Sequence, residues 1–152
     1  MIKSAKSSVE MGKTMDKNSA KELLSFHSGR NSDIHNPKWE NGFLGSLRPF
    51  RGELYKENFM EVMECLKALK EEFAAETIEK DIVADVVAIT HLSRAWASPD
   101  GMLVYNHILT EEQEKHLLVW ADIIESCFMY LLDGDEEDAF SDYEDYLEDE
   151  YF

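Results

Sequence analysis

Apolar side chains recur at steps of three and four over three long stretches of this chain, the spacing that places them on one face of a helix. The clearest stretch is residues 110–132, where Leu117, Ala121, Ile124, Phe128 and Leu131 make the stripe. Trp120, Ile123 and Cys127 widen it, and Lys115, Asp122 and Glu125 mark the opposite side. Thr110, followed three positions later by Gln113, predicts a capping box in which each side chain satisfies the other residue's free backbone N–H. Glu111, Glu112 and Glu114 crowd the first turn, where the helix dipole favours negative charge. At about 1.5 Å per residue this helix spans roughly 35 Å and predicts the spine of a small domain.

Residues 58–77 repeat the pattern through Phe59, Val62, Leu66, Leu69 and Phe73, with Asn58 as the expected N-cap. Residues 79–96 are apolar on nearly every side, from Ile82 and Val83 through Val86, Val87 and Ile89 to Leu92 and Trp96. Such a helix is expected at the centre of its bundle. The connection at Thr77 and Ile78 is so short that these two helices are expected to be antiparallel neighbours. Ser19 and Glu22 signal a shorter helix over 20–27. Residues 102–109 suit a short strand or an extended crossing segment, with 43–50 as the only plausible strand partner. The fold class is therefore all-α, a small helical bundle of three long helices plus one short N-terminal helix. Its expected organisation is a loose basic leader over 1–17, a helical domain over 18–132 and an acidic aromatic tail over 133–152.

The least helical stretch is the Gly/Pro/aromatic loop over 36–52, with three of the seven glycines and two of the three prolines. It also holds Trp39, Phe43, Leu44, Leu47 and Phe50, too much apolar surface to be simply solvated. The loop either covers one end of the core or offers a patch to a partner. Asn41 with Gly42 is a dipeptide favoured in hairpin turns. Arg48 and Arg51 flank Pro49 and Phe50, placing cations beside an aromatic face, a grip for an anion or carboxylate unless they pair with the acidic body.

Charge sharpens this picture. The net charge is −17, yet residues 1–56 hold ten Lys/Arg against six Asp/Glu while residues 57–152 hold five against twenty-six. That balance argues against non-specific binding to nucleic acid or an anionic membrane and favours a basic partner, unless the basic start folds onto the acidic remainder. The tail carries eleven Asp/Glu, no Lys or Arg, and Phe140, Tyr143, Tyr146 and Leu147. A segment made only for solubility needs no such apolar groups, so the tail is expected to dock, on a partner or on its own chain. Cys65 and Cys127 each fall among apolar neighbours within a predicted helix, which suits a reducing compartment. With no apolar run near the ~18 residues of a membrane span and no apolar signal segment, the expected location is cytoplasmic.

Motifs for chemistry are sparse. The five histidines, at 27, 35, 91, 107 and 116, show no metal-site spacing, and Glu112 with His116 is a pair common by chance. Asp85 interrupts the apolar run over 82–89 and needs a cation or exposure; Arg48 and Arg51 are the expected partners. Two readings of function follow. In the first, the chain is an acidic cytosolic interaction protein of the inhibitor or immunity type, binding a basic protein partner. Its contact residues would be Trp39, Phe43, Arg48, Phe50, Arg51, Phe140, Tyr143, Tyr146 and Leu147. In the second, it is a helical enzyme or small-molecule binder with a pocket from Asp85, His91, Arg94 and His107. Neither reading calls for a cofactor or a metal.

Overall fold

The computed structural model describes residues 15–149, so most of the basic leader over 1–17 lies outside the described residues. The described chain is all-α, without strands. Its helices are α1 (Lys17–His27), α2 (Pro37–Asn41), α3 (Lys56–Ala68), α4 (Lys70–Ala74), α5 (Lys80–Ala97), α6 (Met102–Tyr105), α7 (Glu111–Leu132), α8 (Glu136–Ala139) and α9 (Ser141–Asp149). Helix α7 is the spine. Its capping box forms at both bonds: the Gln113 N–H donates to Thr110 Oγ1 at 3.1 Å, and the Thr110 N–H donates to Gln113 Oε1 at 3.0 Å. Its buried side carries Leu117, Trp120, Ala121, Ile124, Cys127 and Leu131. Against it pack α5, α3, α4, α8 and α9.

Helix α5 is apolar but not central. Val87, His91 and Ala95 lie on an exposed side, and α7 takes the interior position instead. Nor are α3 and α5 close neighbours; α1, which buries Ala20 and Leu24, packs against both of them. The expected single helix over 58–77 is broken at Leu69, whose N–H is shared between the carbonyls of Cys65 and Leu66. That break buries both Leu69 and Phe73 and lengthens the connection to α5. Asn58 does not cap α3; it sits inside the helix, and its side-chain amide donates to the carbonyl of Asn41, tying the loop down. Helix α1 starts earlier than expected because Asp16 accepts from the Ser19 N–H at 2.8 Å and takes the capping role.

The loop over 36–52 contains a helix of its own. Asn36 accepts from the Lys38 N–H and Pro37 occupies the first turn, a start signal within the sequence that outweighed the loop composition. No hairpin forms at Gly42; an isolated bridge between Leu47 and Phe50 is the only strand-like pairing among the described residues. Residues 102–105 are helical, so the expected strand pair is absent. Phe43, Leu44 and Leu47 are buried, and the loop closes one end of the core.

Two glycines direct the chain at helix ends. Gly29 (φ +74°) and Gly134 (φ +79°) adopt the left-handed conformation that closes α1 and α7. After α7, the N–H groups of Gly134 and Asp135 donate to the carbonyls of Leu131 and Tyr130. Asp135 then caps α8 by accepting from Asp138. The acidic tail thus turns back at once and lies along α7 and α3. Phe140, Tyr143 and Tyr146 are buried there, with Leu147 half-buried beside them. Tyr143 and Tyr146 each meet the ring of Phe59 edge-on at 5.6 Å.

This strap is part of the core. Loss of one buried aromatic costs about 3–5 kcal/mol, so Tyr143→Ala is expected to shift the urea midpoint well below that of the intact chain. Truncation after Asp133 removes three such rings and is expected to prevent stable folding. Unchanged urea midpoints for both, followed by helical circular dichroism, would show the strap to be dispensable.

Candidate functional site

The outer face of α7 continues from Asp122 and Glu125 to Met129 and Leu132, which are 52% and 45% exposed. These residues, with Ser126 and Phe128, line an open cleft of about 450 Å³. Phe128 reaches inward to meet Phe73 edge-on at 5.7 Å, which leaves Met129 and Leu132 as the outward apolar groups. The Ser126 hydroxyl lies 3.5 Å from Asp142 Oδ2, so α9 borders the same face. Beyond it the chain presents nine exposed carboxylates between Asp133 and Asp149, with no Lys or Arg in that span. Extending the polar line Asp122–Glu125 by a helical turn falls on Met129 and Leu132. The sequence signal was present, though it marked the solvent side as purely polar.

The nine residues singled out as partner contacts are divided by the fold. Phe140, Tyr143 and Tyr146 are turned into the core and cannot form an outer contact surface. Lys67 lies 5.5 Å from the Phe140 ring, Lys56 5.9 Å from the Tyr146 ring, and Lys70 pairs with Glu136 at 3.2 Å, so cations of the body hold the tail. Phe43 is likewise buried, edge-on to Trp120 at 6.1 Å. Phe50 is half-buried against the core and Arg51 donates to Asn41 Oδ1 at 3.2 Å. Trp39 and Arg48 stay together and line a cavity with Trp96.

The alternative pocket does not assemble. Asp85 is buried and accepts from Ser28 Oγ at 2.8 Å and from Arg30 Nη1 at 2.9 Å. Its partner is Arg30 rather than Arg48 or Arg51, because the turn at Gly29 delivers the residue after α1 directly to α5. Burial pushes the Asp85 carboxyl up, and Arg30 and Ser28 act against that shift. Arg94 is held by Asp122 at 2.6 Å and Glu125 at 2.8 Å. His91 and His107 are exposed on separate elements, with His107 at φ 56° beyond α6. A polar cleft of about 400 Å³ does lie beside Asp85, but its Arg30, Asp81, Lys21 and Glu79 are paired with one another.

Two histidines serve the scaffold. His27 Nδ1 accepts from the Phe43 N–H at 2.9 Å, which leaves Nε2 as the donor to Glu61 at 2.8 Å. His116 lies 3.2 Å from the Tyr146 hydroxyl and 3.3 Å from Glu112. No group of three or more His, Cys, Asp or Glu that could hold a metal occurs among the described residues, and none of the described helices is long and apolar enough to cross a membrane. Comparison with family models, characterised proteins and solved structures gives no match for this chain.

Two titrations follow from these contacts. Hydrogen bonds from His27 and then Lys38 hold Glu61 at about 2 against an ordinary value of 4.5. A folded-state value below the unfolded one stabilises the fold in full above about pH 4.5 and loses that contribution as pH falls towards 2. Glu61→Gln is expected to weaken the acid limb of the stability profile between those limits; an unaltered limb would show the contact to be neutral. Burial pushes both Cys65 and Cys127 up to about 12. Neither thiol is expected to react with a disulfide reagent at pH 8 until the protein is denatured, and fast native labelling would contradict their burial.

Proposed function

We propose that this chain is an acidic interaction protein that captures a basic protein partner through the outer face of α7 and α9, as an inhibitor or immunity protein does. The observation that carries this reading is the meeting, on one surface, of exposed apolar side chains with a surplus of carboxylates. Met129 and Leu132 share their cleft with Asp122 and Glu125, two carboxylates that share the cation Arg94, and Asp142 of the acidic span lies beside Ser126 at its edge. The partner this face fits is a segment bearing Lys or Arg around a few apolar side chains. Charge then speeds the encounter, and exposed charges are screened beyond about 8 Å at physiological salt. The apolar contact supplies a remainder that salt does not remove.

The tail keeps its place in this proposal through its charge, since its aromatic residues serve the fold. A cytoplasmic setting belongs to the same proposal, supported by two buried, unpaired thiols. The competing reading, a catalytic pocket, lacks convergence: Arg94 is engaged by two carboxylates, while His91 and His107 sit on separate elements.

The test is calorimetric titration against a partner recovered by crosslinking from the source cells. Asp145→Lys with Glu148→Lys is expected to flatten the salt dependence of binding. Met129→Glu with Leu132→Glu is expected to weaken binding roughly tenfold or more at every salt concentration. Both pairs lie on the surface and leave the melting temperature near that of the parent chain. A partner whose bound segment is neutral or acidic, or an affinity that neither pair moves, overturns the proposal.

A further inference from the structure

Away from the acidic face, the loop over 36–52 meets α5 around a small cavity of about 170 Å³. Trp39, Leu44, Arg48, Leu92 and Trp96 are among the residues that line it. Two features there are not accounted for by folding. The indole Nε1 of Trp39 is buried and has no acceptor among the described residues, a costly state for a donor that native structures rarely leave unpaired. The Arg48 guanidinium lies 6.0 Å from the centroid of the Trp96 ring and pairs with no carboxylate among the described residues. In a chain with 32 acidic and 15 basic residues, Arg30 and Arg94 each hold two carboxylates. Arg48 does not.

We infer that this cavity is a binding site for a small carboxylic acid bearing one aromatic ring. The ring lies among Trp39, Leu44, Leu92 and Trp96, and the carboxylate meets the Arg48 guanidinium, whose planar fork matches carboxylate geometry. Size agrees, since an apolar cavity of about 150 Å³ accepts one benzene ring. Charge agrees as well: a neutral ring leaves Arg48 without a carboxylate, and a bare inorganic anion leaves the half-buried Trp39, Leu92 and Trp96 uncovered. Trp39 Nε1 is closed from solvent and has no acceptor among the described residues, so its signal reports whether the entering acid changes the surroundings of that indole. None of the lining residues belongs to the face proposed for the basic partner, and the two sites stand or fall separately.

The experiment is a titration of the full 15N-labelled chain with benzoate, and separately with toluene and with acetate. It follows the Nε1–H signals of the three tryptophans, assigned through Trp39→Phe and Trp96→Phe. Benzoate is expected to shift the Trp39 and Trp96 signals saturably, with the largest change at Trp39 and little at Trp120. Arg48→Gln, at an exposed position, is expected to keep the melting temperature and to weaken benzoate binding about tenfold, as loss of a charged hydrogen bond does. Toluene and acetate are each expected to bind more weakly than benzoate. The inference is overturned if benzoate moves neither indole, if Arg48→Gln binds as the parent chain does, or if toluene binds as well as benzoate.

Discussion

Phe59 lies flat on Trp120, with ring centroids 5.4 Å apart and planes 6° from parallel, and both the loop and the C-terminal strap close on that contact. Both rings are buried, one on α3 and the other on α7. Phe43 reaches Trp120 edge-on from the loop, and Tyr143 and Tyr146 reach Phe59 edge-on from α9. Edge-to-face pairs of this kind contribute about 0.5–1.5 kcal/mol beyond the area they bury. Their larger effect here is positional. The indole N–H donates to the Tyr146 hydroxyl at 2.8 Å, so the polar edge of the cluster is satisfied as the strap closes. Disturbing the stack would withdraw support from the loop and the strap together.

Electrostatics divides the molecule differently from its sequence. The basic part of the chain folds against carboxylates from later helices: Lys17 on Glu71, Arg30 on Asp81 and Asp85, Lys38 on Glu61. Most of these pairs are exposed and worth little each. The pair at Asp85 differs, because that carboxylate is buried and removing Arg30 would strand it. Lys56, Lys67 and Lys70 hold the inner edge of the tail. Its outward carboxylates stay exposed, Asp142 among them beside Ser126 of α7.

The interval of three and four residues was sufficient to place α7, its capping box and most of its buried stripe, because helix register depends on near neighbours alone. It also placed α5 to within a residue at each end, and the capping signal at Ser19 and Glu22 placed α1 to within three. Local signals went astray where two of them competed. At the start of α1, Asp16 outcompeted Ser19 for the capping role, and Asn36 with Pro37 started a helix inside a stretch whose composition reads as loop. The apolar surround of α5 suggested a central helix, yet composition cannot say which side a neighbour will cover.

What tertiary structure alone decided is the use made of each polar and aromatic group. Asp85 stood out as a carboxylate in an apolar run, in need of a cation or of exposure, but only the turn at Gly29 settles that it is buried against Arg30. The tail's aromatic residues announced docking, but only the closed turn after α7 and the waiting face of Phe59 make their own chain the surface. Likewise the sequence contains Trp39, Arg48 and Trp96 without any sign that they share a cavity, since they come from a loop and a helix more than forty positions apart. Helix periodicity is a property of adjacent residues and can be read along the chain. Pairing across elements depends on which faces remain free once the core has packed, and that is determined only when all the helices are in place.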